Sequence, residues 1–186
     1  MTKKIILDQP GVKKILLDQP GEFQLFLTVP GVEAVVFGAF QTVDKEQTAV
    51  KVVVHHQAPH TKAVTNLRGV AGGSSKISFT GRIIIDKNCG DTNSFLTERI
   101  LLLSDTAKAE AIPDLEILTD DVKCSHAASI SRIPEAQLFY LMSRGILRKR
   151  AEGLIVQGFL AEKKWKNGNF KKRVWRINMV TSRYTD

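Results

Sequence analysis

Three Pro-Gly pairs stand at a fixed ten-residue interval, Pro10-Gly11, Pro20-Gly21 and Pro30-Gly31, and they constrain the fold more than any other feature of the chain. The first two units are nearly identical. Lys3-Lys4-Ile5-Ile6-Leu7-Asp8-Gln9 precedes one pair and Lys13-Lys14-Ile15-Leu16-Leu17-Asp18-Gln19 the next, and a third apolar run, Phe23 to Val29, precedes the third. Proline presets φ, and glycine accepts the left-handed conformation that a tight turn demands. A short β-prone run closed by Pro-Gly therefore reverses direction every few residues. Such units cannot bury an apolar face alone, so they must stack.

The rhythm continues without the exact repeat through Ala34 to Phe37, Ala49 to His55, Ala63 to Val70, Lys76 to Ile85, Arg99 to Leu103, Leu115 to Leu118 and Val122 to Ala127. None of the intervening segments carries a helical period, and an all-β body from about residue 3 to 130 follows. Strands of this kind can close as a barrel, pair as a sandwich or coil as a parallel β-helix. Periodicity does not choose among the three. After Ile133 the character changes: Pro134-Glu135 opens a first helical turn, Leu138, Tyr140, Leu141 and Met142 follow, and Gly145 stops it. A second helix is expected from about Leu147 to Glu162, weakened by Gly153 and Gly158. The reading divides the chain into a β core over 1–132, a helical hairpin over 133–162 and a basic tail over 163–186.

The formal charge of +8 is unevenly placed. Residues 1–143 carry 15 basic and 16 acidic side chains, whereas residues 144–186 carry 12 and 3. The excess lies in Arg148-Lys149-Arg150, Lys163-Lys164-Trp165-Lys166 and Lys171-Lys172-Arg173-Val174-Trp175-Arg176. Tryptophans among cations can stack on bases, but a solvated face is the commoner fate of such runs; nucleic acid is therefore not the expected partner, and a basic-tailed nucleic-acid-binding module stands as the alternative function. No apolar run is long enough to cross a bilayer, and Asp8 interrupts what a signal peptide would need, so no membrane role is expected and the cytoplasm is the expected compartment. Cys89 and Cys124 form no CxxC or CxxH pair and are read as free thiols, which leaves no self-contained zinc or cluster loop.

From Ala49 onward, four stretches in a fixed order resemble the SufB/SufD family of iron-sulfur cluster assembly proteins. They are His55-His56-Gln57-Ala58-Pro59-His60-Thr61 followed by Leu67-Arg68-Gly69-Val70, then Phe79-Thr80-Gly81-Arg82-Ile83. Next comes Leu101-Leu102-Leu103-Ser104 through Leu115-Glu116-Ile117 to Asp120-Asp121-Val122-Lys123-Cys124-Ser125-His126, and last Ala136-Gln137-Leu138-Phe139-Tyr140-Leu141 with Ser143-Arg144-Gly145-Ile146. The resemblance implies a right-handed parallel β-helix followed by a small C-terminal helical segment. It also implies a scaffold without turnover of its own, on which a transient iron-sulfur cluster is built at the interface of two paired β-helices. The implied partners are a SufB-like subunit or a second identical chain, and a SufC-like ABC ATPase at the helical region. Family members carry a substantial segment before the β-helix, so the chain reads as N-terminally short.

The resemblance places site residues too. His126 falls on the histidine of the CSH motif and is the expected metal ligand, because a neutral imidazole suits a cluster meant to be handed on. Cys124, two residues away, faces the same side of a strand, although an inward apolar cysteine explains it equally. Glu98 stands where a SufB-type member brings a cysteine, which makes the chain SufD-like; an exposed strand carboxylate explains it equally. The sequence reads Ser125-His126-Ala127 where the family tends to glycine, and basic residues replace the helices that follow Glu162. His55, His56 and His60 suggest a weaker alternative, a cupin-like histidine-metal enzyme, but adjacent strand residues point to opposite faces. No phosphate loop, nucleophile elbow or paired-carboxylate signature is present.

Overall fold

A computed structural model describes residues 2–161; the basic tail lies outside the described residues. Ten strands alternate between two parallel sheets. One is ordered β1(Thr2–Leu7), β3(Gly21–Leu27), β5(Gln47–His56), β7(Lys76–Ile85), β9(Lys108–Ile117). The other is ordered β2(Gly11–Leu17), β4(Val32–Thr42), β6(Lys62–Ala71), β8(Thr92–Leu102), β10(Val122–Arg132). The chain is a parallel β-helix of about four turns, the architecture that the family resemblance selected from the three left open.

The decapeptide repeat is half of one turn. Thr2 lies beside Glu22 and Gly11 beside Val32, so the first turn takes 20 or 21 residues, and later turns take 29 to 32. The Pro-Gly corners are tight because Gly11, Gly21 and Gly31 have φ of 103°, 144° and 79°, angles that a side chain resists. Wider corners use Asp44, His60, Asn88 and Asp91 at positive φ, residue types that tolerate the left-handed region. Corners stack through backbone bonds, Gly11 N–H to Gly31 O at 2.9 Å, Gly31 N–H to His60 O and His60 N–H to Gly90 O at 3.0 Å.

Alternate residues point inward, so aliphatic rows run down the axis, for example Leu25, Val54 and Ile83, each no more than 1% exposed. Two stretches with little apolar signal also form strand: Thr92 to Glu98, and Lys108 to Asp114 with Pro113 inside it. Pro113 is tolerated because β9 pairs only with β7 and its other edge is unpaired, where a missing N–H breaks no ladder. Helix α1(Glu135–Ser143) and helix α2(Arg148–Leu160) follow. The α2 residues Val156 and Leu160 pack on Phe37, Ala39, Val70 and Leu101, on the outer face of the second sheet. Arg68 Nη1 donates to Phe159 O at 2.5 Å and Ala161 O at 2.7 Å, satisfying carbonyls at the helix end.

Candidate functional site

Strand alternation decides what the last turn places inside. In β10 the side chains of Val122, Cys124 and His126 turn inward while Lys123 and Ser125 face out. In β8 the inward row is Ser94, Leu96, Glu98 and Ile100. Glu98 is fully buried, which removes the exposed-strand explanation for it. The His126 side chain is 2% exposed, and its Nε2 lies 3.3 Å from Glu98 Oε2. At that distance the two groups touch without hydrogen-bond alignment: among the described residues both carboxyl oxygens and both ring nitrogens lack a hydrogen-bond partner.

Buried polar groups are almost always bonded, because losing water without replacement costs on the order of 1–3 kcal/mol per group and more for a charge. Four orphaned atoms on two touching side chains are therefore a site with an unmet demand. A carboxylate and an imidazole together are donors for a divalent first-row metal, iron among them.

Cys124 shares the inward direction but packs with Ile83, Ile85, Cys89, Leu96 and Val122. Burial pushes its thiol pKa up, away from the thiolate a metal needs. Cys89 is pushed the same way by burial and then by the charge of Asp86. Both cysteines are free. The remaining histidines do not converge. His55 Nε2 pairs with Asp86 at 2.9 Å and His60 Nδ1 with Asp91 at 2.9 Å. His56 lies inside, with Nδ1 2.7 Å from Thr61 Oγ1 and Nε2 3.0 Å from Ser94 Oγ. Among the described residues no group of three or more His, Cys, Asp or Glu side chains is placed to hold a metal ion.

The site lies at one end of the solenoid. Among the described residues β9 and β10 are the terminal strands of their sheets, and each has one unpaired edge. Inward-facing Leu115, Ile117 and Ile130 on these strands are nevertheless 45%, 39% and 46% exposed, because no further turn covers them. Beside the body, the helical hairpin exposes Phe139, Tyr140 and Leu147. An open apolar hollow of about 390 Å³ lies among Ala136, Gln137, Tyr140, Leu141 and Ile155.

Sequence reasoning did not single out Gly81 as part of the site. It lies opposite Glu98 and His126, and a Cβ there would come within 2.8 Å of each. The available signal was a glycine inside a strand-like run, which marks a close approach.

Comparison with known proteins identifies the family. The family model for the SUF system FeS cluster assembly SufBD core domain matches residues 21–159. The iron-sulfur cluster assembly protein SufD of Bacillus subtilis is 43% identical over 93 residues, which is 50% of this chain and 21% of that protein. SufD of Escherichia coli is 36% identical over 107 residues, 55% of this chain and 25% of that protein. An iron-sulfur cluster assembly SufBD family protein of Mycobacterium tuberculosis is 33% identical over 123 residues, 66% of this chain and 14% of the relative. The chain thus spans a quarter or less of the length of these three relatives.

Proposed function

Because the chain belongs to the SufB/SufD family of iron-sulfur cluster assembly proteins, we propose that it is a scaffold whose Glu98–His126 pair holds iron while a cluster is built where two β-helices meet. The observation that carries this reading is a carboxylate and an imidazole buried in contact, with no other partner, beside the open end of the solenoid. Two donors leave most of the coordination of an iron ion free for sulfide and for ligands from a second chain. Glu98 occupies the place of a thiolate, so the thiolate comes from a SufB-like partner. Oxygen and imidazole nitrogen hold ferrous iron less tightly than thiolates hold a finished cluster, which suits a site that must release its product.

The exposed inward face formed by Leu115, Ile117 and Ile130, together with the free edges of β9 and β10, supplies the surface for that second β-helix. The apolar hollow of the helical hairpin is a separate surface and fits an apolar docking partner, in this reading a SufC-like ATPase that supplies the energy. The scaffold itself turns nothing over, and its compartment is the cytoplasm. No helix among the described residues is long and apolar enough to cross a membrane.

The test is anaerobic reconstitution with ferrous iron and sulfide, with a SufB-like partner and without it, followed by absorption. Cluster that requires the partner and is lost in His126→Ala supports the reading. Cluster formed equally well by His126→Ala in the paired protein overturns it.

A further inference from the structure

Three glycines sit inside strands with no room for a side chain. A Cβ on Gly38 would lie 2.8 Å from Phe40, and one on Gly69 would lie 2.7 Å from Ile77. These two make space for hydrocarbon. Gly81 differs: its Cβ would lie 2.8 Å from Glu98 Oε1, 2.8 Å from His126 Cε1 and 2.8 Å from Leu96 Cδ2. Nor does the backbone call for glycine here, because Gly81 is not among the glycines with positive φ. A glycine inside a strand costs stability, and what it yields at this position is space.

We infer that Gly81 is a positioning residue: its missing side chain fixes the separation at which Glu98 and His126 meet, and so fixes the geometry they offer to a metal. The inference rests on the proposed role of that pair. All three atoms a Cβ would strike are side-chain ends rather than backbone. Leu96 and Glu98 are at most 1% exposed and the His126 side chain 2%, so all three are packed inside the solenoid rather than standing in solvent. A methyl group therefore displaces the carboxylate and the ring by roughly half an ångström, about the tolerance within which a ligand set works. Glu98 lies in an inward row between Leu67 and Ala128.

The experiment compares Gly81→Ala with Gly69→Ala, which adds the same methyl against hydrocarbon. Two quantities are read on the folded chain: the His126 ring resonances in the metal-free protein, and the affinity for cobalt(II) alone from its absorption bands. Gly81→Ala is expected to shift the His126 resonances and weaken cobalt binding about tenfold or more, as loss of a supporting contact does at metal sites. Gly69→Ala should change neither. Should Gly81→Ala fail to fold, recovery of folding on adding Glu98→Ala supports the inference and no recovery overturns it. A folded Gly81→Ala protein with wild-type His126 resonances also overturns it. Shifted resonances in a chain that never binds metal would uphold Gly81 as the spacer and refute the metal reading of the pair.

Discussion

His56 and His126 are both turned into the same core, and the structure treats them in opposite ways. His56 has a hydroxyl on each ring nitrogen, Thr61 on one side and Ser94 on the other, and a neutral imidazole satisfies both at once because it donates once and accepts once. Burial, with a smaller contribution from neighbouring His55, lowers its pKa from 6.5 to about 4. The sign of the consequence is fixed. Between those values the unfolded chain binds a proton that the folded chain refuses, so stability is full above pH 6.5 and falls as the pH drops towards 4. The whole shift corresponds to about 3 kcal/mol. Denaturant midpoints across that window should fall in the wild type and fall less steeply in His56→Gln; parallel slopes would show that His56 is not the group responsible. Neither ring nitrogen of His126 has a hydrogen-bond partner among the described residues, and this contrast is what supports the proposed ligand role of His126 over a purely structural one. The sequence offered His126 through the Cys124-Ser125-His126 motif. Its contact with Glu98 was not legible, because it depends on a register between β8 and β10 that pairs His126 with Leu96 and leaves Glu98 diagonal to it.

Among the elements, β9 and β10 matter most to the proposed interface, because each offers an edge unpaired among the described residues and an uncovered inward face beside the Glu98–His126 pair. A charge on that face should hinder pairing without unfolding the solenoid. Ile130→Asp is expected to weaken association with a SufB-like partner, or with a second copy, about tenfold or more, at a cost to folding of about 1 kcal/mol because Ile130 is already half exposed. Ile6→Asp, on the terminal strand of the opposite end, should leave association unchanged. Light scattering of the mixed proteins reads both, and equal weakening by the two variants would place the interface elsewhere. The same strands mark where sequence legibility ended. Apolar runs located the C-terminal ends of β8 and β9, but the residues before them carry little apolar signal or include Pro113, and only pairing with a preceding turn makes them strand. Helix α2 forms through Gly153 and Gly158, since Val156 and Leu160 bury themselves against the sheet and outweigh a propensity cost of about 1 kcal/mol for each glycine.

At the scale of the whole described body, the chain is a stack in which each turn contacts its neighbours, and an end turn has one face that no further turn covers. The ten-residue spacing of Pro-Gly foretold a stacked repeat, and the structure shows that one repeat is one side of one turn. Nothing in that spacing distinguished stacking into a β-helix from closing into a barrel; the family resemblance did. The position of the pair follows from the architecture: a carboxyl and an imidazole without hydrogen-bond partners among the described residues lie in the last turn, next to the uncovered end where the proposed second β-helix would sit. The most direct measurement is electron-nuclear double resonance on the reduced cluster of the reconstituted pair, made with isotopically labelled histidine in this chain. The account predicts a coupling from one imidazole nitrogen that disappears in His126→Ala and persists in His56→Gln. A cluster with no histidine coupling from this chain, or with one that survives His126→Ala, would contradict it.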